Sequence, residues 1–282
     1  MKELILSRIW KKYRFLIFRR ITQISILILY IGANIWGWKI LQGNLSSSLL
    51  LEKVPLADPY AVLQIFATGS IVAMDAILGA IIITLFYMVI GGRAFCSYVC
   101  PVNMVTDLAN WIRRKFNLDK VEKKWWASRN IRYWAIGLSF ILSFLLGTAA
   151  FELVSPVSMT HRGLAFGMGF GWAAIVTIFL FDLFVLKNGW CGHICPLGGF
   201  YSIIGRFSLF RVKHNQPNCT LCMKCKDVCP EKEVLFMIGK KSMGINMGEC
   251  TLCGRCVEVC DDDALNFGIR DFIKKGEENE AK

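Results

Sequence analysis

Twelve cysteines carry most of the chemistry available to this 282-residue chain, and eight of them fall in two matching runs, NCTLCMKCKDVCP and ECTLCGRCVEVCD. Cys219, Cys222, Cys225 and Cys229 follow Cys-x2-Cys-x2-Cys-x3-Cys, with Pro230 next. Cys250, Cys253, Cys256 and Cys260 repeat the pattern, with Asp261 in place of the proline. This spacing wraps three thiolates around one iron–sulfur cubane and sends the fourth across to a neighbouring one. One [4Fe-4S] cluster is therefore expected on Cys219, Cys222, Cys225 and Cys260, and a second on Cys250, Cys253, Cys256 and Cys229. Zinc sites more often use separated Cys-x2-Cys pairs, and disulfides are out of place in a cytoplasmic domain, the compartment argued for below.

The remaining four cysteines form a second pattern. FCSYVCP holds Cys96 and Cys100, and WCGHICP holds Cys191 and Cys195. Each is Cys-x3-Cys-Pro, which is neither a ferredoxin nor a zinc-finger spacing. Cys100 and Cys195 would sit at helix starts, where backbone N–H groups favour a thiolate and thiolates favour soft metals. Three readings stay open. The four thiols ligate a third cluster, they act as redox thiols or transient copper ligands, or they pack as small apolar side chains.

The elements that must position these cysteines are apolar. Hydrophobic residues make up 55% of the chain, and Gly91-Gly92 or Asn188-Gly189 breaks the chain before each Cys-x3-Cys-Pro. Mean hydropathy is +0.46, too high for an ordinary soluble domain. Apolar segments near Ile21–Leu41, Ser70–Ile90, Ile131–Phe151 and Gly167–Leu186 approach the ~20 residues that cross a bilayer, and spanning segments of this kind are helical. The net charge of +12 is spread beside these segments rather than gathered in one basic patch, which argues against a nucleic-acid partner. Arg8, Lys11, Lys12, Arg14, Arg19 and Arg20 precede the first segment, and Arg93, Arg113, Arg114, Lys115, Lys120, Lys123, Lys124 and Arg129 lie between the second and third. The 42–69 and 152–166 connections hold only Lys53 and Arg162 among Lys and Arg. Positive residues stay inside, so both termini and the 91–130 connection are expected in the cytoplasm and the other two connections outside. Arg19-Arg20 is read as part of that inside anchor. Trp10, Trp36, Trp38, Trp111, Trp125 and Trp126 fit an interfacial belt.

The order helix, helix, Cys-x3-Cys-Pro occurs twice. An amphipathic stretch follows each motif: Val102, Val105, Leu108, Ile112 and Phe116 in one half, Leu197, Phe200, Ile204, Phe207 and Phe210 in the other. Pro101 and Pro196 suit the first turns of those helices. Two spans per unit give both units one orientation, so Cys96, Cys100, Cys191 and Cys195 are expected at matching places on the inner face. The expected architecture is an α-helical membrane protein with four transmembrane helices and a C-terminal α+β bacterial-type 2[4Fe-4S] ferredoxin domain. Residues 1–210 would form the membrane domain, 211–270 the ferredoxin domain and 271–282 a flexible tail.

On these motifs the chain resembles the NapH/MauN-type ferredoxin proteins over nearly its whole length. The resemblance implies a membrane component of a quinol dehydrogenase in the bacterial inner membrane. Electrons would pass from menaquinol or ubiquinol toward periplasmic nitrate reductase through NapG-like ferredoxin or NapC-type cytochrome partners. The same polyferredoxin architecture occurs in NosR-like and CcoG-like proteins, so a maturation or metal-reducing electron donor is the alternative. A scaffold with purely structural clusters is a third option.

A quinol site needs a proton acceptor near the lipid interface. Asp75, Glu152 and His161 are the candidates on the outer side, with Arg162 beside them, and Asp182 lies toward the inner end of the fourth segment. Charges within spans are costly and usually functional. No Cys-x-x-Cys-His occurs, and His161, His193 and His214 lie outside the spans, so no haem is expected.

Overall fold

The computed structural model describes residues 2–116, 128–167, 169 and 171–270. Lys120, Lys123, Lys124, Trp125, Trp126 and the 271–282 tail lie outside the described residues, as do the side chains of residues 2–12.

Helix α1 (Lys2–Trp36) is one continuous helix of 35 residues. The expected outer connection after it is structured. Strands β1 (Leu41–Gly43), β2 (Ser47–Leu50) and β3 (Val54–Ala57) form an antiparallel meander, and α2 (Pro59–Ala67) follows. Pro59 sits in the first turn of α2, where its missing N–H costs nothing. Asp58 caps the helix by accepting from Tyr60 N at 3.2 Å. Helices α3 (Met74–Ile90), α4 (Ala94–Tyr98) and α5 (Val102–Lys115) complete the first half.

The second half repeats the plan with α6 (Ile131–Leu146), α7 (Ala150–Val154), α8 (Pro156–Phe166) and α9 (Gly171–Leu180). Two π-helical turns follow, Phe181–Val185 and Trp190–Ile194, the second carrying Cys191; α10 (Pro196–Gly205) follows. The halves exchange partners. The inserted helix of each half packs on the leading helix of the other, α2 on α6 and α8 on α1. Likewise α3 meets α10, and α9 meets α5. Gly92 lets the backbone before the first motif touch α10, since a Cβ there would stand 1.9 Å from the Tyr201 carbonyl.

The segment Tyr13–Trp36 is long and apolar enough to cross a membrane, by length and composition. Met74–Ile90, Ile131–Leu146 and Gly171–Val185 are apolar but shorter, so the expected segments lose residues at their outer ends. Gly147, in the left-handed conformation at φ 65°, stops α6 before Phe151. Outward-pointing apolar side chains run along these helices, such as Trp134, Leu138, Ile141 and Leu145 on α6. Helix α5 is turned the other way from a core helix. Thr106, Asp107, Asn110 and Arg113 are buried, whereas Leu108, Trp111 and the following Phe116 face out.

In the C-terminal part β4 (Phe210–His214) is the central strand between β5 (Met243–Gly244) and β6 (Leu265–Ile269), and its antiparallel register with β6 runs from Phe210↔Ile269 to His214↔Leu265. Helices α11 (Lys224–Val228) and α12 (Arg255–Glu258) each begin inside a cysteine run. Val212, Val234, Leu235, Met237, Ile245 and Leu265 are buried, in a core continuous with Tyr60, Tyr87, Tyr201 and the Cys-x3-Cys-Pro motifs. The ferredoxin part is therefore seated on the helices. Phe15 N and Leu16 N of α1 donate to Glu258 Oε1 at 2.6 and 3.0 Å, and Phe15 packs edge-on against Phe267 at 5.1 Å.

Candidate functional site

The two cysteine runs adopt the same local backbone. Leu221 and Leu252 have positive φ of 59° and 50°, and Met223 and Gly254 have 58° and 76°. Each pair occupies equivalent places between the first three cysteines of its run. Such alternation of hand turns successive N–H groups inward and forms a nest that suits an anionic group.

Two cavities lie behind these nests. Cys219, Cys222, Cys225 and Cys260 line one, beside His214, Ile238 and Leu265. Cys229, Cys250, Cys253 and Cys256 line the other, beside Val212, Leu235 and Ile245. The fourth cysteine of each run has crossed to the other run's cavity, as the spacing leads one to expect. Among the described residues no three His, Cys, Asp or Glu side chains converge on a single ion position. A cubane takes one thiolate per iron, so its ligands ring a cavity rather than meet at a point. The donor set fits that group: all sulfur, apolar walls and inward N–H groups. Cys222 is exposed, whereas Cys225, Cys229, Cys253 and Cys256 are buried.

The other four cysteines also gather. Cys191 lies within electrostatic reach of Cys96, Cys100 and Cys195. Their helix-start positions match: Cys100 Sγ accepts from the N–H groups of Val102 and Asn103, and Cys195 Sγ from those of Leu197 and Gly198. Burial pushes all four thiols up, Cys195 to about 12, and Arg93 pulls Cys96 and Cys195 part of the way back. With no bound cation these thiols would stay protonated at neutral pH. Cys96 and Cys191 line one small cavity together with Cys253, so the helix-borne thiols adjoin the second ferredoxin cavity.

Two buried charge networks fix this arrangement, and sequence reading passed over both. Arg93 Nη1 donates to Glu231 Oε1 at 2.5 Å and Arg132 Nη1 does so at 3.3 Å, with Arg129 also paired to Glu231. The same arginines hold the motif backbones: Arg93 donates to Cys191 O at 2.8 Å and Arg132 to Gly192 O at 3.3 Å. Burial alone would raise the Glu231 carboxyl, but the three arginines outweigh it and hold it below its ordinary range. In the second network Arg19, Arg20 and Arg255 surround Asp107, so Arg19-Arg20 pins α1 to α5 and to the Cys253–Cys256 loop. Arg255 lies within a cysteine run, and Glu231 directly follows Cys229-Pro230. Those neighbours were the only signal in the sequence.

Of the acidic and histidine candidates, Glu152 and Arg162 are brought together, and no hydrogen bond or ion pair joins Asp75, His161 or Asp182 to them among the described residues. Asp75 is exposed in the first turn of α3, with no hydrogen bond or ion pair among the described residues. Glu152 accepts from Ser46 Oγ and Ser158 Oγ, both at 2.7 Å, and pairs with Arg162 at 3.6 Å. His161 is buried edge-on against Tyr30, ring centroids 4.7 Å apart. Asp182 is buried and accepts from Trp190 N at 3.0 Å, which ties the start of the second π-helical turn to the first. A further carboxylate, Asp58, is not singled out by the sequence and stands just before α2. Its Oδ1 accepts from Tyr201 Oη at 3.3 Å, and it has no ion pair among the described residues. Burial pushes its carboxyl up to about 7, with Glu152 adding to the rise and the Tyr60 N–H and Tyr201 hydroxyl opposing it.

The two four-cysteine cavities and the ferredoxin-type sheet define an iron–sulfur electron-transfer protein. Family profiles agree. A 4Fe-4S binding domain matches residues 72–119 and again 164–215, so each match takes in one Cys-x3-Cys-Pro motif, and a 4Fe-4S dicluster domain matches 211–261. The methylamine utilization ferredoxin-type protein MauN of Methylorubrum extorquens is 44% identical, over 77% of this chain and 75% of its own length. The ferredoxin-type protein NapH of Escherichia coli is 44% identical, over 80% of this chain and 78% of its own. The MauN of Paracoccus denitrificans is 43% identical over 79% and 78%. The chain belongs to the NapH/MauN family of ferredoxin-type proteins. No solved structure matches it.

Proposed function

We propose that this protein is a four-span inner-membrane electron-transfer subunit. It takes electrons from membrane quinol and passes them toward a periplasmic reductase through NapG-like or NapC-like partners. Its first cluster is held by Cys219, Cys222, Cys225 and Cys260, its second by Cys250, Cys253, Cys256 and Cys229, and a third by Cys96, Cys100, Cys191 and Cys195. When bound, these clusters supply one-electron acceptors. The chain's own residues set their spacing and exclude water.

One observation carries the reading. Cys96, Cys191 and Cys253 share a cavity, so the helix-borne thiols open directly onto the second cluster position. Electrons entering beside the helices would meet a series of neighbouring sulfur sites that are buried or half-buried except at Cys222. The outward apolar stripes on α3, α6 and α9 support the four spans, although each of these helices is ~25 Å long or less. A face of Leu108, Trp111 and Phe116 over buried polar residues suits α5 to the inner interface.

The test is reduction of the purified, cluster-loaded protein by a short-chain quinol, followed by loss of cluster absorbance. Bleaching by quinol at a rate set by quinol concentration is expected. Bleaching by dithionite alone, at every quinol concentration and with partners added, would overturn the reading.

A further inference from the structure

A groove of about 740 Å³ runs between α1, the β1–β3 meander and α3, and reaches the ferredoxin domain. One stripe of α1, Phe18, Thr22, Ile26 and Tyr30, forms its wall at four-residue spacing. Its lining is mostly apolar, and its polar side chains include two hydrogen-bonded pairs, Tyr30 with Ser48 at 3.2 Å and Tyr201 with Asp58 at 3.3 Å. Asp58 is packed by protein on its remaining sides but keeps accessible surface and lines the groove. Phe95, next to Cys96, and Leu252, between Cys250 and Cys253, also line it. Phe95 stacks on Tyr201 at 4.8 Å, and Tyr87 meets Tyr201 edge-on at 5.2 Å.

An apolar groove of this size with a few converging polar groups is the usual form of a small-molecule site. A carboxylate without a cation partner is costly to bury and calls for a role. The Asp58–Tyr201 pair lies beside Cys96 through Phe95, which stacks on Tyr201, the groove reaches the second ferredoxin run at Leu252, and its apolar walls suit a hydrocarbon tail. We propose that the groove binds a membrane quinol, with Asp58 receiving protons from its hydroxyls and Tyr201 holding the carboxylate in position. This rests on the quinol-donor reading given above.

Quinol loses two protons and two electrons and becomes quinone, and each electron reduces one [4Fe-4S]2+ cluster to [4Fe-4S]+. The first proton passes from a quinol hydroxyl to Asp58 and on toward Glu152, freeing Asp58 for the second. Asp58 N donates to Ser46 O at 2.9 Å, and Ser46 Oγ donates to Glu152 at 2.7 Å, so the two carboxylates sit on one short stretch of structure. Arg162, 55% exposed and paired with Glu152, marks the exit. The other groups facing Asp58 are Tyr201 of α10, Tyr60 of α2 and Tyr87 of α3.

The test uses the full-length, cluster-loaded protein in detergent with a photoactivatable short-chain naphthoquinone. Labelled peptides are expected from α1, the meander and α3. Ile82→Trp, which fills the groove from α3, should cut labelling at least ~10-fold with iron content unchanged. Asp58→Asn should keep the labelling but slow quinol-driven bleaching ~100-fold or more, leaving dithionite-driven bleaching as in the parent protein. Where Asp58→Asn fails to fold, Tyr201→Phe serves, with a smaller loss of rate and a shifted pH profile. Label elsewhere on the chain, labelling unmoved by Ile82→Trp or displaced equally by phospholipid, or full quinol-driven rates in both variants would overturn the site. Specific groove labelling that Ile82→Trp blocks, with no bleaching by quinol in the parent protein, would keep the binding site and overturn the donor reading alone.

Discussion

Arg93 donates to Glu231 at 2.5 Å although 138 residues separate them in the chain. Arg93 opens the segment that carries Cys96, and Glu231 follows the Cys229-Pro230 that closes the first ferredoxin run. The bond therefore ties a helix-borne cysteine motif to the ferredoxin domain. Arg93 also reaches Cys191 O in the other half, so one guanidinium sets the relative positions of three cysteine loops.

Removing the anion from this network leaves Arg93 buried with only carbonyl acceptors and Arg132 with only Glu249, 3.9 Å away, as an anionic partner. Glu231→Leu is expected to cost about 3–5 kcal/mol, seen as a lower thermal midpoint of the cluster-loaded protein in detergent. Lys240→Gln, at an exposed position of the ferredoxin part, serves as the control and should change it little. The charge term survives mild acid. Because Glu231 is held below its ordinary range when folded, its stabilisation is present at neutral pH and lost only as pH falls through that lowered value.

The crossed ligand sets predict which variants share a phenotype. Cys219→Ser and Cys260→Ser should abolish the same paramagnetic signal of the reduced protein, and Cys229→Ser and Cys250→Ser the other. If Cys260→Ser instead removed the same signal as Cys250→Ser, the crossing would be wrong.

Quinol-driven bleaching should depend on pH through Asp58. Its carboxyl is raised to about 7, so it is protonated and unable to accept a proton below that point. The rate is expected to fall as pH drops below about 7 and to level off above it, and Asp58→Asn should abolish that limb. A rate that rises toward acid pH would contradict the assignment.

Lipid exposure is testable on α6. Leu138→Lys places a charge on the outward stripe and should disfavour insertion by roughly 2.5–3.5 kcal/mol, lowering the amount of protein that remains in the membrane after alkaline washing. Lys240→Glu, at an exposed position of the ferredoxin part, should not.

The ferredoxin cysteines and their crossing were legible because cluster spacing is a local property of the chain. Four apolar helices were legible from composition, one of them long enough to cross a membrane, and the other three end short of the segments expected. The 42–69 and 152–166 segments looked like outer loops because their charges are few. In the structure, α2 and α8 pack between the long helices, where few charges are tolerated for a different reason. That placement brings Asp58 to Tyr201, a contact across 143 residues that no periodicity announces. The amphipathic pattern of α5 showed a helix but not which face turns inward. Only contact with Arg19, Arg20 and Arg255 explains why the polar face is buried around Asp107.

The central claim is that the paired Cys-x3-Cys-Pro motifs hold a cluster that adjoins the ferredoxin pair. It is tested most directly by counting iron and acid-labile sulfide per chain in protein purified without oxygen. Three cubanes predict about twelve of each, falling to about eight when Cys96 and Cys191 are replaced by Ser. About eight in both proteins would contradict the claim and leave the four gathered thiols without an iron–sulfur role.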